Sequence, residues 1–402
     1  MPLTPIIPNL TRPVAEANHP NQLIVETVDS ISDIAEPEYE VLTRGRSFYV
    51  ARPWLLAVEY ARGGNVRYLC CRYGLHRSLV GVLPVYGESP GPYHLYETFL
   101  SRSHARFARD EWSPAAVVGA QAGYSTEFAI DRALDAVTAE AVLSMLLDAA
   151  GHGPGTSRVP LTALHLNPVG RAQLRALGVH DDAFFTTGAN CVIDIEHATL
   201  AEYIDALGGR QRREMRREQR IFEGAGYTLS RRGLSDCVDV AAVLCTQLQS
   251  KYGDHASSVT ARRQYMTKLA EAADDHSHVL LLEDGERAVG VVICFAWGNT
   301  LYVRQAGFDY ARIGRNFEYF NLCIYSTVHL AMQQSLQAVH LGMSSYTAKL
   351  SRGARIERLE GLAMSATGES PTDQEEFARR QDGLRSMLER GDGREIDRDD
   401  SR

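Results

Sequence analysis

The sequence predicts a duplicated α/β unit, and three observations carry that expectation. Residues 67–73, a turn and residues 78–84 read as the two strands of a hairpin; residues 278–283, Asp284-Gly285 and residues 288–294 give the same phrase, with Asp-Gly a strong hairpin signal. Helical periodicity over 137–150 leads into a strand containing Ala163-Leu-His-Leu166, and periodicity over 316–337 leads likewise into Ala338-Val-His-Leu341. Both phrases come in the same order in each half, with their Val-Gly-Val triplets 209 residues apart, as a repeated unit requires.

In chain order, residues 1–40 carry Pro2, Pro5, Pro8, Pro13, Pro20 and Pro37 with little periodicity and read as an extended N-terminal arm. The first unit is expected over 41–185. Gly81 and His165 stand 84 residues apart, against 50 between Gly290 and His340, so the first copy holds about 34 extra residues. These fall within 88–126, where 90–96, Trp112 and 120–124 suit either a binding loop or a decorative one. A strand over 190–195 then gives way to Thr199-Leu-Ala-Glu202, a capping-box spacing, and Gly208-Gly209 breaks the pattern. The second unit is expected over 186–366, with an arginine-rich helix at 210–223. Residues 367–402 form a polar tail of 11 acids and 7 bases, with a short helix around 375–390.

Composition narrows the function. The chain has 402 residues, 45% hydrophobic and 23% charged, ordinary for a globular protein with a substantial core. A net charge of −8 excludes a generally basic nucleic-acid protein and leaves any polyanion to a local patch. No run of about 18 apolar residues predicts a membrane span, and residues 1–22 lack the features of a signal peptide. The seven cysteines show no metal-ligand spacing, so reduced thiols in a cytoplasm are expected, with no metal and no structural zinc.

Of 42 basic residues, only Lys251, Lys268 and Lys349 are lysines. Where arginine replaces lysine so widely, the survivors are enriched for sites that need a compact ammonium. Arginine itself is concentrated between 210 and 232, which holds eight arginines and three glutamates. At 3.6 residues per turn Arg210, Arg213, Arg217 and Arg220 share one face, with Met215 and Phe222 able to anchor the other. Two readings stay open: a surface tracking phosphates of RNA or a nucleotide-linked substrate, or a solvated helix laced by Glu214 and Glu218 to neighbouring arginines.

Farther on, residues 300–321 run as a strand, a glycine-bearing loop and a helix start, a junction able to hold an anion. After the next buried strand, Lys349 stands among Ser344, Ser345, Tyr346, Arg352 and Arg355. Open α/β sheets place chemistry at the carboxyl ends of strands, and an ammonium there suits a developing oxyanion.

Three segments carry a resemblance: the 210–227 helix ending in Gly-Ala-Gly-Tyr, the 304–321 loop and helix start, and 342–354 with Tyr346-Thr-Ala-Lys349 and Gly353-Ala354. Over roughly residues 45–365 the chain resembles a double-GNAT protein of the Fem-like group, close to the subgroup described as BioF-like acetyltransferases. The resemblance implies two tandem GNAT-like domains, each a mixed, mostly antiparallel sheet flanked by helices, with an acyl-transfer site mainly in the second. Fem-like enzymes move an aminoacyl group from aminoacyl-tRNA to an amine, typically of a cell-wall precursor, and relatives in biosynthetic clusters acylate small amines. By matching motif, Lys349 is the lysine that stabilises the tetrahedral intermediate or the departing ribose oxygen. The usual acetyl-CoA loop, Arg/Gln-x-x-Gly-x-Gly/Ala, is incomplete here: Gly307 follows Arg304, but Phe308, Asp309 and Tyr310 come next.

The expectation is therefore an N-acyltransferase that takes an aminoacyl group from charged tRNA to a small-molecule or cell-wall-type amine. Lys349, Tyr346 and Asn321 are its expected catalytic residues, and Arg210, Arg213, Arg217, Arg304 and Gly307 its donor-binding ones. Trp54, Asp309, Glu318 and Ser344 are assigned to the acceptor, with Asp309 or Glu318 also available to take a proton; His340 is read as a core strand residue. Alanine at Lys349 is expected to cut turnover far more than folding. No permanently bound cofactor and no DNA partner are expected. The rival readings are an acyl-CoA-dependent enzyme and a GNAT-like binding protein whose site has lapsed.

Overall fold

Both Val-Gly-Val phrases form hairpin strands, and the glycine in each explains why the phrase repeats. A Cβ at Gly81 would lie 2.6 Å from Val142 Cγ1 on the helix Ala136–Ala150. At Gly290 it would lie 3.0 Å from Leu322 Cδ2, in the helical stretch 318–333. The missing side chain lets a helix close onto the strand in both halves. The computed structural model describes residues 22–62, 65–88, 94–101, 107–119, 123–152, 158–251 and 258–389.

The strands are β1 (Leu23–Val28), β2 (Val66–Tyr73), β3 (Ser78–Gly87), β4 (Ala116–Val118), β5 (Ala129–Ile130), β6 (Leu161–Leu166), β7 (Phe184–Asp194), β8 (Thr228–Arg232), β9 (Ser277–Asp284), β10 (Arg287–Trp297), β11 (Thr300–Phe308), β12 (Ala338–Gly342) and β13 (Arg355–Met364). The chain divides into two units. One holds residues up to Gly188 together with those from Arg358; the other is Ala189–Glu357. The chain leaves the first unit inside β7 and re-enters it inside β13.

In the first unit the strand order is β1-β2-β3-β4-β6-β13, with β5 also on β3. Its pairs are antiparallel except β4 with β6, which run parallel from Ala116↔Leu161 to Val118↔Ala163. The second unit runs β7-β12-β11-β10-β9-β8, antiparallel except for parallel β11 and β12. Each unit is thus a mixed, mostly antiparallel sheet flanked by helices, with its own apolar core. Among the described residues no helix is long and apolar enough to cross a membrane.

The division differs from the sequence expectation in three places. Residues 22–40 are not part of an extended arm, because Leu23–Val28 pairs with β2 and the helix Glu36–Thr43 buries Tyr39 and Leu42; residues 1–21 lie outside the described residues. Within 88–126, the described part builds core: Leu95, Leu100 and Trp112 join Phe185 and Phe377 in one buried cluster, while 89–93, 102–106 and 120–122 lie outside the described residues. The C-terminal segment does not end the second unit. Residues 358–364 pair with β6, and the helix Glu375–Glu389 packs onto the first unit, where Phe377 meets Phe185 at 5.6 Å and Gln381 Oε1 accepts the Thr186 N–H at 2.7 Å. Tail residues from 390 onward are outside the described set.

Phe377→Ala is expected to destabilise the first unit by about 3–5 kcal/mol, read as a lower midpoint in chemical denaturation.

Candidate active site

Parallel pairing of β11 and β12 covers only Thr300↔Ala338, Leu301↔Val339 and Tyr302↔His340. Beyond it β11 continues to Phe308 without β12 beside it, so the second unit's sheet opens at the carboxyl ends of these strands. Arg304 sits at this opening as the extra residue of a bulge, because Ile293 and Cys294 of β10 face Gln305 and Val303. In the first unit the corresponding opening is filled by the chain itself. Thr126 bridges to Leu166, its N–H donates to His165 O at 2.7 Å, and its carbonyl accepts the Asn167 N–H at 3.0 Å.

At the end of β12 the backbone turns through Gly342, Ser344 and Ser345, all at positive φ (70°, 68° and 51°). Two consecutive L-residues in the left-handed region are strained and need external support. Lys349 supplies it. Its side chain is 5% exposed, and Nζ donates to the carbonyls of Leu341, Gly342 and Met343 at 2.9, 3.2 and 2.7 Å. All three ammonium protons are committed, and no carboxylate among the described residues is in ion-pair range of the charge. Burial lowers the Lys349 pKa to about 8. Burial, with the ammonium next, holds His340 down at about 3, so it is neutral and packs on Tyr302 at 5.2 Å. Lys349 is thus a structural staple as well as a charge, and its removal would disturb folding more than the sequence suggested.

Tyr346 and Asn321 also hold backbone. The Tyr346 hydroxyl accepts the Ala189 N–H at 3.1 Å. Asn321 Nδ2 and its own N–H both donate to Phe317 O, at 3.0 and 3.1 Å. Phe317 needs that support, because it opens the helix at φ 60° and ψ 35°, left-handed for a bulky residue. Ser344 is exposed on the strained turn.

The loop between β11 and this helix is occupied by its own carboxylates. Asp309 is buried, accepts the Ala311 N–H at 3.2 Å and pairs with Arg287 at 3.0 Å. Glu318 is buried, accepts the Asn316 N–H at 3.2 Å and takes a hydrogen bond from the Tyr227 hydroxyl at 3.0 Å. Neither is free to bind an acceptor. A Cβ at Gly307 would lie 2.4 Å from the Cys245 nitrogen, so this glycine admits the helix Val238–Lys251 rather than a phosphate. Trp54 is fully buried beside Phe48 and Tyr49 in the first unit, at 5.7 and 5.2 Å, and is a core residue, not an acceptor contact.

The arginine helix spans Gly209–Glu223, with Met215 buried as expected. Its glutamates do not lace its arginines. Glu218 is 1% exposed, pairs with buried Arg352 and accepts from the Tyr325 hydroxyl; Glu214 lies 3.7 Å from the same guanidinium. Arg210, Arg213 and Arg217 are exposed and, among the described residues, have no carboxylate in ion-pair range, whereas Arg216 pairs with Asp205. The structure thus brings these three together on one uncompensated face. It does not bring Gly307 to them: Gly307 packs under Val238–Lys251, on the sheet face opposite Leu322. The buried contact among Glu218, Arg352 and Tyr325 was missed by sequence reasoning. The signal was a glutamate three residues after Met215, at an inward position of the helix. Among the described residues no His, Cys, Asp and Glu group could hold a metal ion.

Comparison with known proteins agrees with this topology. Residues 209–350 match the family described as an acetyltransferase (GNAT) domain. The crystal structure of FemX is similar at a TM-score of 0.55 and 10% identity, over 84% of this chain and 96% of that one. A conserved protein of unknown function from Bacteroides thetaiotaomicron VPI-5482 is similar at 0.53 and 12%, over 85% and 99%. The C-terminal domain of a putative lysylphosphatidylglycerol synthetase from Agrobacterium fabrum is similar at 0.50 and 10%, over 87% and 95%. The sequence matches none of the curated proteins.

Glu218→Ala is expected to cost about 3–5 kcal/mol, because it strands the buried Arg352 charge. Denaturation of this variant beside Glu218→Gln measures it, and equal stability of alanine and wild type would refute the pairing.

Proposed function

The second unit is a GNAT-type acyltransferase domain in a chain of Fem-like, double-GNAT fold, and from that premise we propose that the protein transfers an aminoacyl group from aminoacyl-tRNA to an amine of a small-molecule or cell-wall-type acceptor. One observation carries this reading: the exposed row Arg210, Arg213 and Arg217, which has no carboxylate in ion-pair range among the described residues, Glu214 and Glu218 both being directed to Arg352. Such a row attracts successive phosphates of an RNA strand. The loop after β11 supports it from the other side. There Asp309 and Glu318 already take the Ala311 and Asn316 amides, so the pyrophosphate of an acyl-CoA would meet two carboxylates. The acyl-CoA reading remains the rival that the GNAT family match favours.

In the reaction the acceptor nitrogen attacks the ester carbonyl of the donor. A C–N bond forms, the C–O bond to the ribose breaks, and the proton shed by the amine passes by solvent to the departing ribose oxygen. Asp309 and Glu318 are committed to ion-pair and hydrogen-bond partners, which leaves the proton to water. With its three protons held by carbonyls, Lys349 acts in this reading through its charge rather than by a hydrogen bond, favouring the oxyanion from beneath the strained turn. Tyr346 and Asn321 are positioning residues, one for the short helix bearing Lys349 and one for the turn at Phe317. The exposed Ser344 is the acceptor's contact on the strained loop.

Two measurements test this. A thermal-shift titration with coenzyme A and acetyl-CoA, run beside tRNA binding at rising salt, should show no shift with either thioester and salt-sensitive RNA binding. Each arginine of the row changed to alanine should lower the slope of log affinity against log salt by about 0.7–0.9; a shift with coenzyme A and no RNA binding would move the donor to an acyl thioester. The second is the pH profile. With the Lys349 pKa near 8, turnover should fall above about pH 8 as the ammonium loses its proton. This group's folded pKa lies below its unfolded value, so its contribution to stability rises with pH between the two. Lost turnover there is not lost folding, and a rate that stays flat to pH 10 excludes the ammonium from the reaction.

A further inference from the structure

Next to the arginine row lies a stack of two rings between two cations that the donor reading alone does not use. Arg352 rests 3.7 Å over the Phe320 ring, Phe320 stacks on Phe317 at 6.5 Å and 27°, and Arg217 lies 5.4 Å over Phe317. The inner end is fixed, because Arg352 is buried and paired with Glu218. The outer end is not: Arg217 is exposed, with no ion pair or hydrogen bond of its side chain among the described residues, and lies over the ring. Between them Phe317 is half-buried and held in the left-handed region, at φ 60°, by the two hydrogen bonds from Asn321 to its carbonyl. A bulky residue in that conformation, braced from below, is strain maintained by its surroundings, and such strain concentrates where ligands are held.

We propose that Phe317 is a stacking platform for the nucleobase at the single-stranded end of an RNA whose phosphates lie along Arg210, Arg213 and Arg217; this rests on the donor reading above. Single-stranded nucleic acid is held by cations that follow its backbone and by aromatic faces on which bases stack, and the two occur together here. Arg217 is the movable cover. Its guanidinium swings to a phosphate and leaves the outer face of Phe317 to the base, or stays and closes over it. Phe320 and Arg352 keep the platform from tilting. The base is recognised by its π face, so the end of the strand is selected without selecting its sequence.

The probe is uncharged bulk bacterial tRNA, intact or trimmed of its 3′-terminal nucleoside, bound to the full chain at fixed salt. Wild type should bind the intact RNA about tenfold more tightly than the trimmed one, within the range of base–aromatic stacking. Phe317→Ala should bind both alike, at the weaker level, and Phe317→Trp should keep the preference. Thermal melting of each variant checks that the fold is kept. Equal binding of intact and trimmed RNA by wild type overturns the platform, as does an undiminished preference in Phe317→Ala; in both cases salt-sensitive binding leaves the donor reading standing. Salt-insensitive or absent binding of both RNAs overturns the donor reading and the platform with it.

Discussion

The buried contact of Glu218 with Arg352 and Tyr325 is what the second unit's site is arranged around. A carboxylate and a guanidinium taken out of water cost several kcal/mol each in desolvation, and their attraction offsets this only with good geometry and further hydrogen bonds. Here the Tyr325 hydroxyl supplies one such bond and the Phe320 ring covers the cation. The pair therefore adds little net stability but fixes where three elements meet. These are the helix Gly209–Glu223, the helical stretch 318–333 and the segment after Tyr346–Leu350. With Glu218 paired to Arg352 and Glu214 drawn toward the same guanidinium, the outer face of the arginine helix keeps a positive potential that is a by-product of how the helix is anchored.

The two units share an order of elements and differ in one respect. In both, a pair of parallel strands lies within an otherwise antiparallel sheet. In the first unit Thr126 hydrogen-bonds into the space beside β6, and a Cβ on Gly119 would lie 2.3 Å from its methyl group. In the second unit nothing comparable is bonded beside β12 among the described residues, and the strained turn over Lys349 stands at that edge. One unit closes the gap with its own backbone, and the other leaves it open among the described residues.

Much of this was legible in the sequence. The hairpins and the helices leading to β6 and β12 followed from periodicity, and the exposed arginine row followed from spacing at 3.6 residues per turn. Other features were not legible because they depend on what the far chain supplies. Lys349 was singled out by scarcity, yet its commitment to three carbonyls follows from the left-handed turn at Ser344 and Ser345, which no local rule predicts for serine. Trp54 had the residue type of a binding aromatic, and only tertiary packing shows it as core. Gly307 looked like part of a phosphate loop because a glycine needed for helix packing and one needed for anion approach are the same letter. The C-terminal segment looked polar on average, and the average hid Phe377.

The first unit is interrupted in sequence: the second is inserted into it between Gly188 and Arg358. Thr162, in β6, donates to the carbonyl of Leu362, in β13, across 200 residues of chain. During synthesis at about 5–20 residues per second, that partner arrives roughly 10–40 s after β6 leaves the ribosome. The second unit has emerged in full by then. An open edge and an uncovered apolar face thus persist on the earlier half while about half of the chain is being made, and the inserted unit is complete before the first can close.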